Sequence, residues 1–272
     1  MDILQALILG AIQGISEFLP ISSSGHLVLL QEIFDIKERL FLSTMLHAGT
    51  LLAVITVLRK DIWMIIKRPI QPLTGFLVLA TIPAVIAALV FKKPIDKAFE
   101  TGQYLGFCFL FTSALLVLAE IISKHKGSRI IKDGKMKLLD AVIIGIMQAI
   151  AIPPGISRSG ATISGALSCK LDRDFAARFS FLMSIPAILG ALVFECKDLI
   201  KGSADAAANG NISAAAIAVG TITAAAVGFF AVKFMIKIIK ERSLYGFAIY
   251  TAALGILILI DKYGTHFVFK IT

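Results

Sequence analysis

Two short stretches carry the residue types that could do chemistry. The first reads Gln13-Gly14-Ile15-Ser16-Glu17-Phe18-Leu19-Pro20-Ile21-Ser22-Ser23-Ser24-Gly25-His26. The second reads Pro153-Pro154-Gly155-Ile156-Ser157-Arg158-Ser159-Gly160-Ala161-Thr162. Gln13 and Glu17 are four apart and share one face of a helix. Pro20 cannot continue that helix. Ser22, Ser23 and Ser24 then offer hydroxyls and N-caps to a second helix, whose first turn holds His26. The free backbone N–H groups of such a start suit an anion. In the second stretch, Arg158 is the only cation between residues 138 and 169. A guanidinium at membrane depth costs at least ~2.5–3.5 kcal/mol on insertion scales, so it demands a charged or strongly polar partner. A phosphate gripped by both arms of the fork is one such partner, and Glu17 is the alternative. Ser157, Ser159 and Thr162 add hydroxyl donors beside the positive end of a helix dipole. A Ser hydroxyl or His imidazole can attack phosphorus, and a carboxylate or imidazole can move the proton. Arg158 and backbone amides can then hold the equatorial oxygens. Phosphoryl transfer depends mainly on positioning and charge stabilisation, and this set suits it. A divalent cation could bridge Glu17 and the phosphates, although Gln13 stands where a second acid would help and the protein ligands are few.

The elements that must position these residues are membrane helices. The chain has 272 residues, 57% apolar and 17% charged, with a net charge of +9 and a mean hydropathy of +0.87. A soluble domain carries about 45–50% apolar and roughly 25% charged residues, so disorder, a fibrous repeat and an ordinary soluble enzyme are excluded. A membrane β-barrel would alternate apolar and polar residues. Here the apolar residues come in unbroken runs near the ~20 residues a spanning helix needs. The fold class expected is an all-α polytopic membrane protein, one integral membrane domain over 1–272. Six runs are long enough to cross: 41–58, 74–91, 103–123, 175–195, 213–236 and 244–260. The connecting loops 59–68, 124–137 and 237–242 are rich in Lys and Arg and read as cytoplasmic. Loops 92–102 and 196–212 mix charge signs and read as external. Trp63, Tyr104 and Tyr263 fit an interfacial aromatic belt. No basic n-region with a cleavage site precedes the first apolar run, so no removable signal peptide is expected.

Stretches 3–34 and 138–169 are not simple crossings. Each is apolar, then broken by Pro, Gly and Ser, then apolar again. Span parity makes both of them re-entrant hairpins, the first entering from outside and the second from the cytoplasm, with both chain termini external. Broken backbone at membrane depth survives only where protein buries it or a wet cavity borders it. An offset of 135 residues aligns the hairpins, with ten identities in the 22 positions from 4 to 25. Repeat 1 covers about 1–123 and repeat 2 about 138–272. Each holds a hairpin and three crossings, so the second is inverted and sites are expected where the halves meet. A second echo, 82–91 against 185–194, has a different offset and reads as two similar Pro-containing helices.

Other polar residues have plainer readings. His47 lies inside a span and reads as a hydrogen-bonded packing residue. His125 and His266 read as solvated. Lys233 and Glu120 read as snorkelling side chains near helix ends. The Gly and Ala residues of 214–228 read as helix packing surface. Cys108, Cys169 and Cys196 have neither metal-ligand nor disulfide-framework spacing. Membrane-face loops account for the basic balance, so nucleic acid is not an expected partner.

With the residues laid out, the two stretches resemble the signatures of bacterial undecaprenyl-diphosphatases, also called bacitracin-resistance proteins. The first fits (Glu/Gln)-xxx-Glu followed by Ser-Ser-x-Gly-His. The second fits Pro-Gly-x-Ser-Arg-Ser-x-x-Thr, and the likeness in spacing and span count runs over essentially the whole chain. The resemblance implies hydrolysis of undecaprenyl diphosphate to undecaprenyl phosphate and phosphate, recycling the lipid carrier of peptidoglycan synthesis. It also implies bacitracin resistance, a bacterial plasma-membrane location with the site facing the external side, and a divalent cation (Mg2+ or Ca2+) at Glu17. By motif position, Glu17, Ser23, His26 and Arg158 are the catalytic set, with Ser23 the preferred nucleophile and His26 the alternative. Gln13, Ser22, Ser24, Ser157, Ser159 and Thr162 are the substrate-binding set. The partners expected are a polyprenyl diphosphate lipid, the bilayer and, as one option for assembly, a second copy in a homodimer. A competing reading comes from the inverted repeat itself, which is above all a transporter plan: the same residues would then carry an anion or polyprenyl phosphate without cleaving it.

Overall fold

The computed structural model describes residues 1–36, 39–124, 136–201, 213–266 and 268. Much of 124–137 and 196–212, with His125, lies outside them. Every regular element among the described residues is a helix. The first apolar stretch forms α1 (Ile3–Ser16) and α2 (Ser23–Ile33). At 1.5 Å per residue these reach ~21 and ~17 Å, short of the ~30 Å hydrocarbon core. A first long helix, α3 (Arg39–Val57), bends by 76° into α4 (Arg59–Lys67). Then come α5 (Pro72–Val90), α6 (Lys92–Thr101) and α7 (Leu105–Lys124). The second broken stretch gives α8 (Leu138–Ile150) and α9 (Arg158–Ser168), again two short helices. The chain closes with α10 (Arg173–Lys201), α11 (Ala214–Glu241) and α12 (Tyr245–Ile260), the last running into a π-helical turn at Asp261–Thr265. Five of these helices are long and apolar enough to span a membrane, and the bent α3–α4 pair makes a sixth. The protein is therefore a multi-pass membrane protein, with its crossings where the apolar runs predict them.

Lipid tails are as apolar as leucine, so helices in a bilayer associate by close van der Waals contact, which small residues permit. Here α1 lies along α11 with Gly14 against Gly228; a Cβ added to Gly14 would sit 2.8 Å from the Gly228 nitrogen. Gly49 brings α3 equally near the backbone of α11 at Thr221. The short α8 packs on α5 through Gly145, which meets the backbone of Ala80. Each broken helix pair thus leans on a helix from the other half of the chain. Pro83 and Pro186 lie inside α5 and α10.

Helix ends gather on two faces. On one, Arg173 at the start of α10 pairs with Glu120 of α7 at 2.6 Å and donates to the carbonyls of Ile239 and Arg242 at the end of α11. Arg178 pairs there with Asp61 of α4 at 3.2 Å. On the other, Lys262 donates to the carbonyl of Gln103 before α7. Three expectations need correction. Stretches 59–68 and 92–102, expected as loops, are largely helical. Their apolar positions (Ile62 and Ile65; Ile95, Ala98 and Phe99) recur at three- and four-residue spacing, a short pattern masked by the charges around it. Glu120 does not snorkel: it is fully buried, accepting from Arg173 and from the Leu244 N–H at 2.8 Å. His266 is half-buried, its N–H donating to the Asp261 carbonyl. Lys233 lies with its ammonium 4.0 Å from the ring centroid of Phe229.

Candidate active site

The two broken stretches build matching tips. In the first, α1 ends at Ser16, but Glu17 keeps helical angles and donates its N–H to the Gln13 carbonyl. Phe18, fully buried edge-on against Phe181, pins the turn. Pro20 ends any continuation, and Ser22 adopts a φ of 69°, a left-handed conformation that non-glycine residues hold only when their surroundings enforce it. Ser22 Oγ then caps α2 by accepting the Gly25 N–H at 3.3 Å. In the second tip, Gly155 makes the reversal at φ 95°, a position where a side chain would also strike Cys108. Ser157 Oγ caps α9 by accepting the Gly160 N–H at 3.0 Å. Each tip therefore has a serine N-cap followed by the first helical residue, Ser23 in one and Arg158 in the other.

The tips meet. Gly25 stands against the Cα of Gly155, and Ser159 Oγ donates to the Leu19 carbonyl at 3.0 Å. Thr112 of α7 braces the second tip, donating to the Gly155 carbonyl and accepting the Ser157 N–H, both at 3.0 Å. Glu17 lies at the junction and is 5% exposed. Its Oε1 accepts from Arg158 Nη2 at 2.5 Å. Its Oε2 accepts from Ser23 Oγ at 2.5 Å and Gln13 Nε2 at 3.1 Å, and faces His47 Nε2 at 3.3 Å. A cavity of about 260 Å³ opens beside it.

Six of the residues singled out in the sequence line this cavity: Glu17, Ser22, Ser23, Ser24, Ser157 and Arg158. The other four stand behind its wall. Gln13 holds the Glu17 carboxylate, Ser159 ties the tips together, and Thr162 links α9 to α10 through Ser180 Oγ at 2.6 Å. His26 is buried with both ring nitrogens engaged: Nδ1 lies 2.7 Å from the Ser22 carbonyl and Nε2 2.7 Å from Tyr250 Oη. A carbonyl can only accept, so Nδ1 carries the hydrogen and Nε2 accepts from the tyrosine. Tyr250 also stacks on the imidazole, with ring planes 4° apart.

Sequence reasoning did not find Ser43 and Thr44 on the cavity wall, nor the two ring-bearing residues that bond the site's polar groups. His47, read there as packing, lines the cavity and faces Glu17, while its Nδ1 donates to the Ser43 carbonyl at 2.6 Å. The cost of an ionisable group inside a span was the available signal. Tyr250 gave none, being one tyrosine in an apolar run and 224 residues from His26.

In kind, this is a site for an anion with a serine at its edge. Ser23 Oγ donates to the Glu17 carboxylate, Arg158 supplies a fork, and the first residues of α2 and α9 border the cavity. The sequence profile of the bacitracin resistance protein BacA family matches residues 6–257, which include both tips. The chain belongs to the BacA family. Undecaprenyl-diphosphatase 4 of Bacillus thuringiensis subsp. konkukian is 48% identical over 268 residues, covering 98% of this chain and 100% of the relative. The undecaprenyl-diphosphatase of Carboxydothermus hydrogenoformans is 44% identical over 261 residues, 96% of this chain and 97% of the relative. That of Methanosphaera stadtmanae is 38% identical over 282 aligned positions, covering 96% and 98%. BacA relatives of this chain therefore match it essentially end to end.

Proposed function

We propose that this membrane protein hydrolyses undecaprenyl diphosphate to undecaprenyl phosphate and phosphate. The observation that carries the reading is the 2.5 Å bond from Ser23 Oγ to Glu17 Oε2, made while Arg158 holds the other carboxylate oxygen. Ser23 Oγ attacks the terminal phosphorus as Glu17 takes its proton. The bond from that phosphorus to the bridging oxygen breaks, and the oxygen leaves with the electron pair and receives the proton from Glu17. Water then attacks the phosphoserine with Glu17 as base, and the proton returns to Ser23 Oγ as phosphate departs. Arg158, the Ser22, Ser24 and Ser157 hydroxyls and the N-termini of α2 and α9 offset the negative charge on the phosphoryl oxygens. Ser23 is the nucleophile in this scheme because its oxygen has both a base and the cavity, whereas the ring nitrogens of His26 are both engaged.

A divalent cation, Mg2+ or Ca2+, is part of the proposal. Among the described residues no group of three or more His, Cys, Asp or Glu could hold a metal ion. The site therefore fits such an ion only as a shared ligand, Glu17 supplying a carboxylate and the diphosphate most of the oxygens. When bound it would neutralise phosphate charge. The exchange of partners between the short helices and the opposite halves supports the inverted duplication. The external face of a bacterial plasma membrane, carrier recycling for peptidoglycan synthesis and bacitracin resistance complete the reading.

The test is phosphate release from undecaprenyl diphosphate by the purified protein, with and without a chelator, beside Arg158→Ala and Ser23→Ala. Release that both substitutions abolish in folded protein is expected. No release with any ion, while the lipid still binds through Arg158, would replace hydrolysis by transport.

A further inference from the structure

Apolar grooves indent the helix bundle among the described residues, and one of them adjoins the cavity at Glu17. It measures about 460 Å³ and runs between the end of α5, α6, the start of α7 and the broken end of α8. Ala87, Ile95, Ala98, Leu105 and Ala149 are among its walls, and no charged side chain lines it. Ile152 lines both the groove and the cavity. Helix α6 borders both, Phe99 lining the cavity and the neighbouring Ala98 the groove. A second groove, about 440 Å³ between α4, α5 and α10, shares no lining residue with the cavity.

A diphosphate ester seated at Glu17 and Arg158 has to lead its hydrocarbon away from a ring of hydroxyls and charges. The groove beyond Ile152 gives that hydrocarbon an apolar path one side chain from the phosphates. Alanines at 87, 98 and 149 leave the room for a branched chain that larger residues would fill. We propose that this groove holds the phosphate-proximal isoprene units of a polyprenyl diphosphate, so that lipid and phosphate recognition meet at Ile152. The proposal rests on reading the chain as a polyprenyl-diphosphate hydrolase. Its occupant is set apart from ordinary bilayer lipid by this continuity with the phosphate cavity.

The experiment fills the groove. Ala98→Phe and Ala149→Leu are compared with the parent, and with Val78→Phe in the second groove, on undecaprenyl diphosphate and on methyl diphosphate, a short substrate with no isoprene unit. Loss of apolar contacts in a pocket is worth about tenfold or more, so KM for the long substrate is expected to rise by about that factor in both groove variants. The short substrate and Val78→Phe are expected to change by less than about twofold. Equal losses on both substrates, or none on either, would overturn the proposal. A second measurement does not depend on turnover. Cys108 lines the groove, and in a Cys169→Ser/Cys196→Ser background its reaction with a small methanethiosulfonate should be slowed by undecaprenyl phosphate. Inorganic phosphate and phospholipid should leave that rate unchanged. Equal shielding by phospholipid would make the groove a site for bilayer lipid and refute the assignment. If the parent cleaves neither diphosphate, the hydrolase reading fails, and thiol shielding still decides the groove.

Discussion

The bond between Ser23 and Glu17 sets up a double-substitution cycle. Ser23→Ala removes the attacking oxygen. Glu17→Gln keeps the outline of the side chain and removes the base. General-base assistance contributes about 10²–10⁴-fold, so Glu17→Gln is expected to lower kcat by a factor in that range, and Ser23→Ala by at least as much. Both substitutions delete one and the same 2.5 Å contact, so the double variant should be no slower than Ser23→Ala alone, as groups acting as a unit are not additive. Stability has to be followed in parallel. Glu17 is 4% and Arg158 16% exposed at the side chain, and removing one partner of a buried ion pair costs about 3–5 kcal/mol. Phosphate release is therefore measured on detergent-solubilised protein and normalised to the folded fraction from thermal unfolding of the same preparation. A double variant slowed by the product of the two single factors would mean that Ser23 and Glu17 act in separate events. Ser23→Ala retaining about a tenth or more of the parent rate would remove Ser23 as the nucleophile, since loss of an attacking group cannot be that mild.

Three further outcomes test other parts of the site and its frame. Tyr250→Phe deletes the hydroxyl that bonds His26 Nε2; one hydrogen bond is worth about 0.5–1.5 kcal/mol, so kcat should fall up to about tenfold with KM unchanged. An unchanged or faster rate would instead favour an imidazole that needs to be released from the tyrosine in order to attack. Gly14→Val places methyls against the Gly228 backbone, and overpacking of this kind costs about 1–3 kcal/mol, seen as a lower unfolding temperature in detergent. Glu120→Gln breaks the buried pair with Arg173 and should lower stability by about 3–5 kcal/mol, while the folded fraction keeps its parent kcat.

The spans and the broken stretches were legible because their signals are local. A run of apolar residues needs no knowledge of its neighbours, and Pro20 and Pro153 interrupt helices by themselves. The Gln13–Glu17 contact was legible from the helical period. Which hydroxyls face the cavity was not. Successive helical residues point about 100° apart, and which of them meet the cavity depends on how each tip is seated: Ser22, Ser23 and Ser24 all border it in the first tip. Ser157 lines the cavity, while Ser159 and Thr162 turn to Leu19 and Ser180. The companions of the site were hidden for another reason. Tyr250 finds His26, and Arg173 finds Glu120, only after whole helices pack, and neither separation leaves a periodic trace. Helices α4 and α6 were missed because a stretch of nine or ten residues dense in charge resembles a loop more than an amphipathic turn.

Glu17 and Arg158 are 141 residues apart, and this distance sets a schedule for biogenesis. At ~5–20 residues per second, roughly 10–30 seconds separate the emergence of the carboxylate from that of its cation. Gly220 and Gly228, which receive α1, are made later still. The α1–α2 pair is therefore made before its counter-charge and its docking surface exist. A chain that stops before α11 therefore holds every polar residue that lines the cavity and still lacks the glycine surface on which α1 is seated.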